Sequence, residues 1–451
     1  MIKYKIILFW GGKMRFNKSI KFIDLFAGIG GIRKGFELAC LEKGIQAECV
    51  LTSEIKPYAI DVLKQNYPDE TITGDITKIN TASIPDFDFL LGGFPCQPFS
   101  AAGKRLGFQD TRGTLFFEVE RILRDKKPKG FILENVEGLV NHDKQNQKDK
   151  MGRTLSTILE HLKALGYKVN WQVLNAKDFG VPQYRRRIYI TGTLKEAPDL
   201  KDFETVASNI SSVLEHGLPV SDSKFVKLIL SHYSVENLYG MSIKDKRGGD
   251  NNIHSWNIDY KGKTTRQEKE FLNLLLKERR KKKWAAEYGI DWMDGMPLTI
   301  EMIRTFYNAD NLEEMLEDLV SKKYLKKEHP KKKVGNKRLQ DESLPQGYNI
   351  VAGKMSYEVA KILDPNGIAP TLVAMDMEHL FVGDNKGIRK LSLREGLRLF
   401  GYPDDFKFDV SIAEGYDLLG NTVAVPVIKQ VALRVLQKLQ ETGEINESEC
   451  A

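Results

Sequence analysis

The chain has 451 residues, 41% of them apolar, and a formal net charge of +7. That apolar content excludes an intrinsically disordered chain and suffices for the cores of two domains, while the basic balance permits a polyanionic partner without requiring one. Four cysteines, Cys40, Cys49, Cys96 and Cys450, stand at spacings that fit neither a metal set nor a disulfide framework, which points to a reducing cytoplasm and to no metal.

The apolar stretch IILFW near the start is too short to span a bilayer and has no small-residue cleavage site, so neither membrane segment nor signal peptide is expected. Residues before Met14 read as an extended start or a loosely attached arm. From Ile20 to Gly192 short apolar runs alternate with helical patterns, the signature of an α/β doubly wound sheet. In order these are KFIDLF, a helix from Ile32, AECVLTSE, a helix from Ala59 to Gln65, FDFLLGG, a helix from Leu115 to Arg124, GFILENV and a helix from Thr154 to Leu165. VNWQVL and RRIYITG close the series, and their short connection is also compatible with an antiparallel hairpin at a sheet edge. Beyond Thr193 alternation weakens and basic runs appear, KERRKKKW (Lys277 to Trp284) and KKYLKKEHPKKK (Lys322 to Lys333). Regular patterns return in RKLSLREGLRLFGYPDDF and YDLLGNTVAVPVIKQVALRVLQKL, whose last helix is spaced to pack on a sheet.

Several residues carry chemistry. FIDLFAGIGG puts a glycine-rich turn between a strand and a helix, where a nucleotide-like ligand can approach the backbone, and Glu54 ends the next strand, where a carboxylate can bind ribose hydroxyls. Asp75, in GDIT, is placed to accept from an adenine amino group or to cap a helix. Cys96 follows a strand in GGFPCQPFS, between two prolines in a glycine-flanked loop, at the edge where α/β sheets hold ligands. Cys40 shares a helical face with Ile32, Phe36 and Ala39 and reads as core. Glu134 ends the following strand at the same edge as Cys96. A thiolate adding to carbon 6 of a pyrimidine places negative charge on the ring, and a carboxyl group can neutralise it at nitrogen 3. Gln183, Arg185 and Arg187 alternate in VPQYRRRIYI and share one face of an extended strand. An arginine there can bind the pyrimidine carbonyl and favour a thiolate.

Together these motifs resemble, in order, those of the bacterial cytosine carbon-5 DNA methyltransferases of restriction-modification systems, over Phe22 to Gly192 and Ile388 to Gln437. The resemblance implies a Rossmann-like S-adenosylmethionine-dependent methyltransferase sheet in residues 15–193 and 415–441. It also implies a smaller inserted target-recognition domain in 194–414 and loosely ordered tails in 1–14 and 442–451. It implies Cys96 as nucleophile, Glu134 and Arg185 as activators of the cytosine, and Arg187 and Gln183 in support. For S-adenosyl-L-methionine it implies Phe26, Gly28, Gly30, Glu54, Ile55, Asp75, Ile76, Pro95, Leu115, Asn421 and Val423. The partners implied are double-stranded DNA, bound by a monomer, and a cognate restriction endonuclease. Ala102 departs from relatives that carry a hydroxyl there. A transfer-RNA cytosine methyltransferase and a catalytically silent DNA-binding repressor are the alternatives. The long basic insert disfavours the first, and the retention of Cys96, Glu134 and Arg185 the second.

Overall fold

The computed structural model describes residues 19–95, 115–246, 248–335, 337–351, 357–384 and 387–445. Two compact units emerge, one from Met1–Glu215, Pro365–Glu378 and Leu391–Ala451, the other from His216–Asp364 and His379–Lys390.

The first unit is built on strands β1 (Ser19–Leu25), β2 (Gln46–Ser53), β3 (Ile72–Thr73), β4 (Phe89–Gly92), β5 (Gly130–Val136), β6 (Lys168–Asn175) and β7 (Arg186–Thr193). Between them run helices α1 (Gly31–Glu42), α2 (Pro57–Asn66), α3 (Leu115–Lys126), α4 (Gly138–Asn141) and α5 (Arg153–Ala164). The sheet order is β3-β2-β1-β4-β5-β7-β6. Neighbours among β1 to β5 are parallel, whereas β7 is antiparallel to both β5 and β6. Residues 176–185 are too few for a helical crossover, so the antiparallel closure follows from chain length.

Alternation along the strands feeds two cores. Phe22, Phe89, Leu91, Ile132 and Tyr189 face α1 and the helix Val425–Glu441, while Ile23, Leu25, Leu90, Phe131, Leu133 and Ile188 join the core containing α3 and α5 residues. Cys40 is fully buried in the first core, and burial pushes its thiol up to about 12, as its helical face implies. Gly35 lets α1 approach the C-terminal helix, since a Cβ there would sit 2.5 Å from Ile428 Cβ. By length and composition Ile412–Glu441 is apolar enough to cross a membrane, but it is two helices, Ile412–Asn421 and Val425–Glu441, and the second packs into this core.

The units divide differently from the expected 194–414 insert: residues 194–215, 365–378 and 391–414 cluster with the sheet. The physical reason is packing of RKLSLREGLRLFGYPDDF against the C-terminal segment. Tyr416 donates its hydroxyl to Leu391 O at 2.7 Å, Tyr402 Oη meets Thr422 Oγ1 at 2.6 Å, and a Cβ on Gly396 would strike Leu419. The tail expected from 442 also begins in contact, because Ile445 is buried in the first core and Thr442 O accepts from Lys195 Nζ. Residues 1–18 and 446–451 lie outside the described residues.

The second unit has a five-stranded sheet in the order Gly387–Lys390, Leu380–Asp384, Lys361–Leu363, Ser242–Ile243, Asn252–Ile253. A separate core gathers Trp256, Phe271, Leu275, Trp284, Leu316 and Tyr324. The run KERRKKKW is partly internal to this unit. Arg279 is 4% exposed and Trp284 1%, and Arg279 donates to Asn349 Oδ1 at 2.6 Å. Burial lowers the Arg279 pKa to about 10, which still leaves it charged at neutral pH.

Candidate active site

The chain must turn from β1 into α1 within a few residues, and it does so through left-handed backbone at Phe26 (φ 56°), Gly28 (φ 56°) and Gly30 (φ 78°). Glycine adopts this region freely, whereas Phe26 does so under strain that the surrounding turn sustains. Gly28 N–H donates to Glu54 Oε2 at 2.7 Å, and Glu54 Oε1 accepts from Ile55 N at 2.9 Å and Lys56 N at 2.8 Å. Three bonds fix this carboxylate at the end of β2 and leave acceptor capacity outward, since a carboxylate has about four lone-pair sites. A Cβ on Gly28 would meet nothing within 4 Å, so the backbone there lies open. Ile55, beside it, is 70% exposed.

Asp75 caps the short 3-10 turn Ile76–Lys78: its Oδ1 accepts from Thr77 N at 3.0 Å and Thr77 Oγ1 at 2.8 Å. Those bonds hold its carboxyl below the usual range, and Oδ2 lies only within 4.0 Å of Lys78 Nζ. The capping and ligand readings of Asp75 are therefore compatible. Ile76 is 2% exposed and packs into the core, which leaves its backbone rather than its side chain for a ligand. Carboxylate acceptors at two strand ends, an open glycine backbone and an exposed apolar side chain between them suit ribose hydroxyls, an exocyclic amine and a flat ring. The residues present thus fit S-adenosylmethionine.

Asn421 and Val423 reach the same edge from far along the chain. Asn421 Nδ2 donates to Asp417 O at 2.8 Å, and Asp417 Oδ2 accepts from Lys56 Nζ at 2.7 Å and Tyr58 Oη at 2.6 Å, directly after Glu54 and Ile55. Val423 packs over Gly31, where a Cβ would lie 2.9 Å from its Cγ2 and 2.6 Å from Tyr402 Oη.

The other half of the edge is formed by β4, β5 and β7. Asn135 Nδ2 donates to Phe94 O at 3.2 Å and so ties the exit of β4 to β5. Pro95 is exposed and is the last described residue before the loop; Cys96 lies outside the described residues, as does Ala102. Leu115, half-buried, opens α3 on the far side of that loop. Glu134 is 9% exposed, with Oε2 facing Gly93. Burial raises its pKa, and Arg187 and then Arg185 oppose the rise.

The two arginines have different partners. Arg187 Nε lies 3.2 Å from Glu134 Oε1. Arg185, expected to meet the base, is 3% exposed and donates to Leu372 O at 3.0 Å, Gly420 O at 3.3 Å and Thr422 O at 2.6 Å. Its guanidinium also lies 5.0 Å from the Phe400 ring centre. Burial lowers its pKa to about 9, so it remains charged at neutral pH. Gln183 is equally enclosed, giving Nε2 to Leu399 O at 2.8 Å. Residues 183, 185 and 187 do share a face; two of them bind the returning segments and the third faces Glu134.

Sequence reasoning missed Asp24. It is 1% exposed in β1, and neither carboxylate oxygen has a hydrogen-bond partner. Burial pushes its pKa up to about 8, against the pull of Arg33, whose guanidinium is already committed to Glu37 at 2.7 Å and Glu70 at 2.6 Å. The available signal was an acid inside the apolar run FIDLF.

Comparison with known proteins agrees with this geometry. Residues 20–437 match the family described as C-5 cytosine-specific DNA methylase. The chain is 64% identical over 422 residues to the Type II methyltransferase M.NlaIV of Neisseria lactamica, spanning 94% of this chain and 100% of that protein. It is 44% identical over 441 residues to the Type II methyltransferase M.BanI of Aneurinibacillus aneurinilyticus, spanning 92% and 95% respectively. The solved Entamoeba histolytica methyltransferase EhMeth shares the fold at a TM-score of 0.51 and 17% identity, covering 93% of this chain and 99% of its own. The chain therefore belongs to the C-5 cytosine-specific DNA methylase family, whose methyl donor is S-adenosylmethionine and whose substrate is DNA.

Proposed function

We propose that the chain methylates carbon 5 of a cytosine flipped out of a specific duplex sequence, with Cys96 as nucleophile and Glu134 and Arg187 as activating groups. The observation that carries this assignment is the buried Glu134, facing Arg187 on one side and Gly93, two residues before Pro95, on the other. Flipping is required because the target atom is inaccessible inside a stacked duplex.

The Cys96 thiolate donates an electron pair to carbon 6, and the displaced π electrons move toward nitrogen 3, where Glu134 supplies a proton. Burial favours the protonated form of Glu134 that this step needs. Arg187, whose Nη1 donates to Arg186 O at 2.8 Å, acts in this reading as the cation toward the pyrimidine carbonyl. Carbon 5 is then nucleophilic. When bound, S-adenosylmethionine supplies an electrophilic methyl group on its sulfonium. A water molecule takes the carbon 5 proton, that C–H electron pair re-forms the carbon 5–carbon 6 double bond as Cys96 leaves as thiolate, and nitrogen 3 returns its proton to the Glu134 carboxylate. Arg185 and Gln183 position this edge by gripping backbone carbonyls, while Phe26, Gly28, Gly30, Glu54, Ile55, Asp75, Ile76, Pro95, Leu115, Asn421 and Val423 form the donor's cradle.

The names of the Type II methyltransferase relatives support a place in a restriction-modification system, protecting host DNA in the cytoplasm beside a cognate endonuclease, with one copy acting per duplex. The test is transfer of labelled methyl groups to duplex DNA. The wild-type chain should label DNA and not transfer RNA, Cys96→Ser should not turn over, and duplex containing 5-fluorocytosine should leave a covalent adduct on Cys96. Full turnover by Cys96→Ser would end the assignment.

A further inference from the structure

Basic residues are abundant in the second unit, and a number of them are ion-paired in place. Lys322 pairs with Glu268, Lys326 with Glu328 and Lys327 with Glu317, while Lys281 pairs with Glu278 and Arg280 with Asp294. One ribbon stands out by its shape, with Lys331 at its base 3.6 Å from Glu328 and its tip extending beyond that pair. Strands Lys331–Val334 and Lys337–Gln340 pair antiparallel in a separate two-stranded sheet, turning at Gly335 (φ 60°). Residues 332–335 and 337–340 are all exposed, including Val334 and Leu339. Among the described residues, Lys333 and Lys337 make no ion pair, and Arg338 gives one N–H to Trp292 O at 3.1 Å.

A two-stranded ribbon exposed on both faces has little stability of its own, so its shape must be held from below. Here it is. Asp341 N donates to Pro330 O at 2.8 Å and Lys332 pairs with Asp341 at 3.1 Å, closing the open end. Beneath lies the buried Glu328, which accepts from Asn349 Nδ2 at 2.7 Å while Asn349 Oδ1 accepts from the buried Arg279. Cross-strand register matches Lys331 with Gln340 and Lys333 with Arg338, so these four side chains share one face, whereas Lys332, Val334, Lys337 and Leu339 share the other.

We propose that this ribbon enters the major groove of the duplex and that its Lys331, Lys333, Arg338 and Gln340 face reads base edges at the target site. The inference rests on DNA being the substrate. A major groove about 12 Å wide admits a two-stranded ribbon, and arginine, lysine and glutamine are the side chains that pair with purine edges there. The unneutralised charge at the tip complements the phosphates on either wall. Lysines on an exposed strand also deter edge-to-edge association, but that role needs no arginine and glutamine ordered on a single face.

The experiment is selection of duplexes from a randomised pool by the full-length chain, which reads recognition without reading methyl transfer. Wild type should enrich one sequence. Lys333→Ala/Arg338→Ala should bind that sequence about tenfold more weakly and enrich a set degenerate at one or more positions, with an unchanged melting temperature. Lys281→Ala/Arg280→Ala, two ion-paired residues outside the ribbon, should enrich the wild-type sequence. Retention of the wild-type sequence by the ribbon variant, or failure of wild type to enrich any sequence, would overturn the proposal. Failure of methyl transfer with normal enrichment would instead count against the assignment of Cys96 chemistry.

Discussion

Arg187 Nε stands 3.2 Å from Glu134 Oε1, with both side chains nearly enclosed at 13% and 11% exposure, while Arg185, two residues earlier on the same face, is bound to three backbone carbonyls. One arginine thus faces a buried carboxylate and the other is committed to backbone carbonyls.

Substitution should separate these roles. Arg187→Ala is expected to lower single-turnover methyl transfer by about 100-fold or more with little change in melting temperature. Arg185→Ala should strand Leu372 O, Gly420 O and Thr422 O, at a cost of about 3 kcal/mol, seen as a clear drop in denaturant midpoint. A stable, inactive Arg185→Ala beside an unstable but active Arg187→Ala would reverse the assignment.

Glu134 must carry a proton to act at nitrogen 3. Since burial raises its pKa, turnover should fall as pH rises through that raised value, in addition to a low-pH decline set by protonation of the Cys96 thiolate. Glu134→Gln keeps the shape and loses the titration. Its rate should be about 100-fold lower and should lack the high-pH decline, and a persisting high-pH decline would place the titrating group elsewhere.

Asp24 makes stability itself depend on pH. Its pKa is near 3.8 unfolded and about 8 in the folded chain, so between those values the native state holds a proton that the unfolded state has released. Stability consequently falls as pH rises through this window, by up to about 1.4 kcal/mol per pH unit from this group. Asp24→Asn should flatten that slope, and urea denaturation at pH 5 and pH 8 will measure it. An undiminished slope would show that Asp24 is ionised when folded.

Two glycines of the cofactor turn should respond differently to alanine. At Gly28 the new methyl meets no protein atom but extends into the open space of the cradle, so S-adenosylmethionine binding measured calorimetrically should weaken about tenfold, with a stability loss of about 1 kcal/mol from the left-handed backbone. At Gly31 it strikes Tyr402 Oη and Val423 Cγ2, so stability should fall by about 1–3 kcal/mol. Equal binding by wild type and Gly28→Ala would remove Gly28 from the cradle.

Features set by neighbours in sequence were legible before folding. The alternation in KFIDLF, FDFLLGG and GFILENV identified strands, and the 3.6-residue spacing in α1 placed Cys40 in the core. Features set by distant partners were not. Nothing within VPQYRRRIYI tells which arginine meets Glu134, because the carbonyls that capture Arg185 lie at residues 372, 420 and 422. Runs of lysine likewise looked alike, although buried Arg279 and the free tip of the 331–340 ribbon differ in every physical respect. The compact units divide the chain differently from the expected bounds for a related reason, as the sequence of residues 391–414 does not reveal that Leu391, Gly396 and Tyr402 dock on 416–422.

The helix Val425–Glu441 covers the face of the sheet that Phe22, Phe89 and Ile132 present. A ribosome makes β1 about 400 residues before that cover, so in the interval this strand has an unshielded oily side. The sheet is accordingly left without this cover until Val425–Glu441 has been made, and nascent chains stalled before Val425 should bind chaperones and retain no S-adenosylmethionine. A ribosome-bound chain ending at residue 424 that held the cofactor would contradict this order of assembly.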